Sequence, residues 1–100
     1  MRLAISPLAE QDLEAIGDYI AAGSSTRALS FVRSLRTQCL RIALNPSSYR
    51  LRPELGQDIR SCAIGNYVIF FVATKNDVTI VRVLHGARDL LTVFATDDED

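Results

Sequence analysis

The sequence predicts an α+β domain in which two antiparallel helices pack on an antiparallel sheet, in the order β-α-α-β-β-β. Three observations carry this reading. Two successive stretches in the first half repeat apolar residues at helical spacing. The second half carries three short runs rich in β-branched and aromatic residues, broken by turn signals. The helices precede these strands instead of alternating with them, which segregates the two kinds of element into two layers.

The elements follow in order. Arg2 to Ile5 reads as a short strand with Leu3 and Ile5 on one face. Ser6-Pro7 opens a helix, because serine caps and proline fits a first turn that does not need its N–H. Glu10, Asp12 and Glu14 lie near the positive end of that helix dipole. Ala9, Leu13, Ile16 and Ile20 form the buried stripe, flanked by Tyr19. Gly23 is expected to end the helix in a left-handed turn. Ser24, Ser25 or Thr26 caps a second helix running to about Leu44. Its stripe is Ala28, Phe31, Val32, Leu35, Cys39 and Ile42, and Leu29, Leu40 and Leu44 widen its apolar surface. Asn45-Pro46 stops it. The short joint between the helices makes them antiparallel neighbours. A loop from Asn45 to Gln57 precedes a strand from Asp58 to Ile64. Gly65-Asn66 is a two-residue hairpin signal. Tyr67 to Ala73 and Val78 to Leu84 are the last two strands, joined at Thr74-Lys75-Asn76-Asp77.

Bulk properties narrow the function classes. With 100 residues, 48% hydrophobic and 23% charged, the chain fits one domain, residues 1–96, followed by an acidic frayed tail, 97–100. The longest apolar run, Tyr67 to Ala73, is far short of the roughly 18 residues a membrane span needs. No signal pattern opens the chain, so a cytoplasmic location is expected. A net charge of −1 argues against a basic nucleic-acid coat, and no sequence-specific nucleic-acid binding is expected. Cys39 and Cys62 are too few and too far apart for a disulfide framework or a metal site. No cofactor and no metal are expected.

Arg82 is the one cation inside the apolar run Val78 to Leu84. Charged residues are rarely buried unless paired. Arg82 therefore sits at a sheet edge, in an ion pair, or on a binding face; Asp89 is one candidate partner. Cleavage of RNA beside a 2′-hydroxyl needs a base, an acid and a cation for the developing phosphorane charge. Arg60 and Arg82 supply charge, and His85, the only histidine, is the candidate acid or base. A second proton-transfer group is hard to find, and a histidine that hydrogen-bonds the turn at Gly86 explains His85 without catalysis. There is no nucleophile elbow, phosphate-cradling glycine loop or metal-ligand cluster.

These residues resemble the ParE branch of the RelE/ParE toxin superfamily over nearly the whole chain. The resemblance rests on the opening strand with Ala9, Asp12, Leu13, Ile16 and Tyr19-Ile20, then Ala28, Phe31 and Pro46. It continues through the Arg60 strand and Tyr67-Val68-Ile69-Phe70. Its most specific part is Arg82-Val83-Leu84-His85-Gly86-Ala87-Arg88-Asp89. It implies a helical hairpin on a curved antiparallel sheet and a partner, a ParD-like antitoxin, which wraps the hairpin and the sheet. RelE-like members cut messenger RNA on the ribosome; ParE-like members inhibit DNA gyrase. Arg60 and Arg82 match two arginines of the RelE-like set. The loop lysines are missing, and no tyrosine follows His85.

The first expectation is therefore a gyrase-inhibiting toxin with no catalytic residues. Its candidate toxicity residues are Arg60, Arg82, His85, Arg88 and Asp89. Tyr19, Leu29, Leu40 and Leu44 are the antitoxin-binding candidates. The alternative is a ribosome-dependent endoribonuclease using Arg60, Arg82 and His85; a third reading is a non-toxic homologue that only binds antitoxin. The apolar stretch Leu90 to Phe94 is expected to dock on the sheet.

Overall fold

The computed structural model describes residues 1–88 and 90–95. Strand β1 (Arg2–Ile5) leads into helix α1 (Pro7–Ala21) and helix α2 (Ser25–Leu44). A single 3-10 turn (Pro46–Ser48) follows, then strands β2 (Arg50–Leu51), β3 (Ile59–Ile64), β4 (Tyr67–Ala73) and β5 (Asp77–His85). Helix α3 (Leu90–Ala95) is the last described element. The predicted α+β arrangement holds, with a two-residue strand and a short helix added.

The five strands lie in the order β1-β5-β4-β3-β2. β2 to β5 form an antiparallel meander. β1 departs from the predicted antiparallel sheet: it pairs in parallel with β5, setting Leu3 opposite Val78 and Ile5 opposite Ile80. A parallel pair needs a long crossover connection, and the two helices plus the meander supply it.

Local chemistry explains the helix ends. The Ser6 hydroxyl accepts the Ala9 N–H at 3.0 Å and donates to the Val81 carbonyl at 3.0 Å. One side chain thus caps α1 and ties its start to β5. Of the three candidate caps for α2, Ser24 is the one used, accepting the Arg27 N–H at 3.2 Å. The expected left-handed turn at Gly23 does not form. α1 ends at Ala21 in right-handed geometry, and Gly23 only donates to Ile20. Among the described residues the positive φ values fall at Gly56, Asp58 and Gly65. Gly65, at 57°, makes the β3–β4 turn with Asn66, as its sequence signal requires. Gly17 serves a different purpose: a Cβ there would meet Val32 at 3.3 Å, so its absence lets the helices approach closely.

The helical hairpin covers one sheet face. Ala9, Leu13 and Ile16 of α1 and Leu35, Cys39 and Ile42 of α2 meet Ile69, Phe71, Val78, Ile80 and Val83 there. All are buried, and this apolar burial is the main stabilising term of the fold. The opposite face is smaller. Phe70, Leu84, Leu55 and Phe94 form it, so the stretch from Leu90 docks on the sheet. Phe94 meets Phe70 edge-on with ring centroids 5.0 Å apart.

A β-bulge makes the larger face possible. Phe70 lies opposite Arg82 but Phe71 lies opposite Ile80, leaving Val81 as an extra residue. Ile80 and Val83, an odd spacing apart, then both reach the helix-side core. A regular strand would send them to opposite faces.

Candidate functional site

Arg82 sits beside this bulge, where β1 has already ended. Its guanidinium donates from Nε and Nη2 to the two oxygens of Asp12, at 2.8 and 3.0 Å. The same carboxylate accepts the backbone N–H of Val83 at 2.9 Å. Asp12 therefore takes the place of a neighbouring strand along this part of β5 and fixes α1 to the sheet. The two side chains are 22% and 12% exposed, sheltered enough for the pair to be stronger than a surface one. Of the three placements left open for Arg82, the structure shows an ion pair. Asp89 lies outside the described residues.

In the sequence, Asp12 stands out only as an acid near the helix dipole and as part of the resemblance. A clue to its role was present. Asp12 lies three residues after Ala9 and four before Ile16, on the flank of the buried stripe, where a carboxylate needs a partner.

Arg60 projects from β3 toward the loop after α2. Its Nη1 donates to the Tyr49 carbonyl at 2.6 Å and reaches the Ser47 carbonyl at 3.5 Å. Tyr49 is held in turn, edge-on to Phe71 at 5.7 Å, with its hydroxyl accepting from Gln38 at 3.1 Å. Arg60 thus ties the loop to the sheet.

His85 ends β5 at the opposite end of the sheet from Arg60. It packs edge-on against Tyr67 at 5.2 Å, and Tyr67 meets Phe31 at 5.5 Å. Its Nδ1 accepts the Ala87 N–H at 3.1 Å, closing the turn at Gly86. The imidazole borders an open groove of about 740 Å³ whose walls include Tyr19, Arg27, Phe31 and Tyr67. Arg88 is exposed beyond it and donates its backbone N–H to the His85 carbonyl.

The three candidate nuclease residues are therefore spread out. His85 lies opposite Tyr67 and Arg60 opposite Phe71, on the two strands flanking β4. Four residues along a strand and two strand spacings across separate their backbones by about 16 Å. Arg82 is bound to Asp12. The arrangement can hold a loop, close a turn and lock a helix. It does not converge an acid, a base and two cations on one phosphate.

The partner-binding candidates form a different pattern. Leu29, Leu40 and Leu44 are 69%, 59% and 84% exposed, and their spacing places them on one outward stripe of α2. Arg33 and Arg36 lie on the same stripe. Tyr19 is 78% exposed but belongs to the His85 groove. A second groove of about 590 Å³ runs between α1 and α2. Leu13, Ala21, Ala28, Leu29 and Val32 contribute to its apolar surface, and Glu10, Glu14 and Asp18 stand along α1. Glu10 pairs bidentately with Arg36 at 2.8 and 3.3 Å. That hydrogen bonding lowers the Glu10 pKa and raises that of Arg36.

The thiols are inert in character. Cys39 is buried, and burial pushes it up to about 11. Cys62 is half-buried; burial raises it too, against an opposing hydrogen bond from Gln38. Among the described residues no group of three or more His, Cys, Asp or Glu side chains could hold a metal. No helix among them is long and apolar enough to cross a membrane.

The model of the ParE toxin family, the toxin of the type II toxin–antitoxin system parDE, matches residues 3–90. The chain belongs to the ParE toxin family. A solved structure described as a chromosomal ParDE toxin–antitoxin system from P. aeruginosa superposes with a TM-score of 0.74. It covers 85% of this chain and 95% of that one at 22% identity, and so shares the fold. No curated protein matches the chain. As a ParE-type toxin, the chain is one half of a two-component module whose other half is a ParD-type antitoxin.

Proposed function

We propose that this ParE-type toxin acts by binding DNA gyrase and that a ParD-like antitoxin neutralises it by covering the outward leucines of α2. The observation that carries the first part is the dispersal of Arg60, Arg82 and His85. A ribonuclease of the RelE type needs its cations and proton-transfer groups around one phosphate. Here Arg82 is held by Asp12 and Arg60 by loop carbonyls, about 16 Å of backbone from His85. Both arginines thereby serve the shape of the domain. The end of β5 and the segment after it, with His85, Arg88 and Asp89, form the proposed contact region for the target.

The second part rests on Leu29, Leu40 and Leu44. Three exposed leucines on one stripe suit an amphipathic segment of a partner.

A ribosome-dependent nuclease is the second reading, favoured only by His85, which faces an open groove that also holds Arg27. A side-by-side assay separates the two. Purified toxin added to gyrase should abolish supercoiling and leave ribosome-bound message intact. Cut message with unaffected supercoiling would reverse the assignment, and cutting lost in His85→Ala would place the chemistry at that residue.

A further inference from the structure

We infer that the free toxin associates with a second copy of itself through the helical hairpin, α2 of each copy lying in the α1–α2 groove of the other. The groove between the helices is apolar at its base, with Leu13, Ala28 and Val32. Its α1 rim is acidic: Glu10, Glu14 and Asp18 recur every four residues and stand in one row. The occupant that fits has an apolar stripe bearing cations. The chain carries such an element. α2 presents Leu29, Leu40 and Leu44 to solvent, with Arg33 and Arg36 on the same stripe.

The charges left over point the same way. Glu10 and Arg36 satisfy each other within one copy. Among the described residues Glu14, Asp18 and Arg33 make no ion pair, and all three are exposed. Across a two-fold axis, Arg33 of one copy meets Glu14 and Asp18 of the other, and the contact repeats itself by symmetry. A two-fold contact requires this self-complementarity, one patch carrying both halves of the match. Charge pairs of this kind fix register and reject wrong partners, while the leucines supply the affinity. The same leucines are the proposed antitoxin surface. Antitoxin binding and self-association would therefore exclude each other.

Charge-swap sedimentation tests the proposal on the purified full chain. The wild-type chain should show a monomer–dimer equilibrium. Glu14→Arg/Asp18→Arg and, separately, Arg33→Glu should each weaken it about tenfold or more through like-charge contact. An equimolar mixture of the two variants should recover the dimer, because both cross-contacts are then opposite in sign. Leu29→Asp should give monomer at every concentration with an unchanged circular dichroism spectrum. A wild-type chain that stays monomeric would overturn the proposal and leave the groove to the antitoxin alone. So would a dimer indifferent to these variants, which would use another surface. Neither result would bear on gyrase inhibition, which is read separately.

Discussion

Asp12 and Arg82, 70 positions apart, are locked together by two hydrogen bonds, and the same carboxylate caps the Val83 N–H. One acid on α1 thus anchors the first helix to the far strand of the meander. Asp12→Ala leaves the sheltered guanidinium without this partner and the Val83 N–H without its acceptor. It should lower the unfolding free energy by about 2–4 kcal/mol, read as a shift in urea midpoint with the slope unchanged. In a double-mutant cycle with Arg82→Ala the two losses should fall short of additive by about 1–3 kcal/mol. Simple additivity would mean that the pair is not coupled.

The second sheet face depends on α3. Phe94 is buried against Phe70, Leu84 and Leu55, whereas Leu91 on the same helix is 58% exposed. Phe94→Ala should therefore cost about 2–4 kcal/mol and Leu91→Ala less than about 0.5 kcal/mol. Equal losses in chemical denaturation would show that α3 is not packed as described.

Much of this architecture was legible because the helices are long and their stripes regular. Ala9, Leu13 and Ile16, and likewise Leu35, Cys39 and Ile42, are core residues in the structure as their spacing foretold. Gly65-Asn66 named its own turn. The exposed leucines of α2 stood out because they fell outside the core stripe. What stayed hidden was long-range. The bulge at Val81 depends on β4 as much as on β5, and no pattern within Val78 to Leu84 separates it from an ordinary alternation. The parallel pairing of β1 depends on where the chain returns after both helices. The Arg82 partner was out of reach for the same reason. Local reasoning offered Asp89, seven residues away, while the folded chain brings in Asp12. Gly23 misled in the other direction: glycine permits a left-handed cap without requiring one.

The thiols give a prediction in pH. Cys39 has a normal value of 9.0 and is held at about 11 by burial. A group raised on folding favours the folded state fully below its unfolded pKa, and this contribution is lost as pH rises through the folded value. Stability should therefore decline between about pH 9 and 11, and Cys39→Ala should flatten that part of the profile. At pH 8 a thiol reagent should modify Cys62 slowly and Cys39 only on unfolding. Rapid labelling of both in the native protein would contradict the burial.

The outward stripe of α2 gives a prediction about the partner. Leu40→Asp places a charge where an apolar contact is proposed, at a site already 59% exposed. Antitoxin affinity should fall about tenfold or more, with the circular dichroism spectrum of the isolated toxin unchanged. Undiminished affinity would move the antitoxin to another surface.

The most direct test of the central claim, that this toxin binds its target and does not cut RNA, is a gyrase supercoiling titration. Relaxed plasmid, ATP and purified gyrase are incubated with increasing toxin and then quenched with detergent and protease. Supercoiled product should be lost and linear DNA should rise as cleaved complexes are trapped, both reversed by antitoxin. Full supercoiling and no linear DNA at saturating toxin would contradict it.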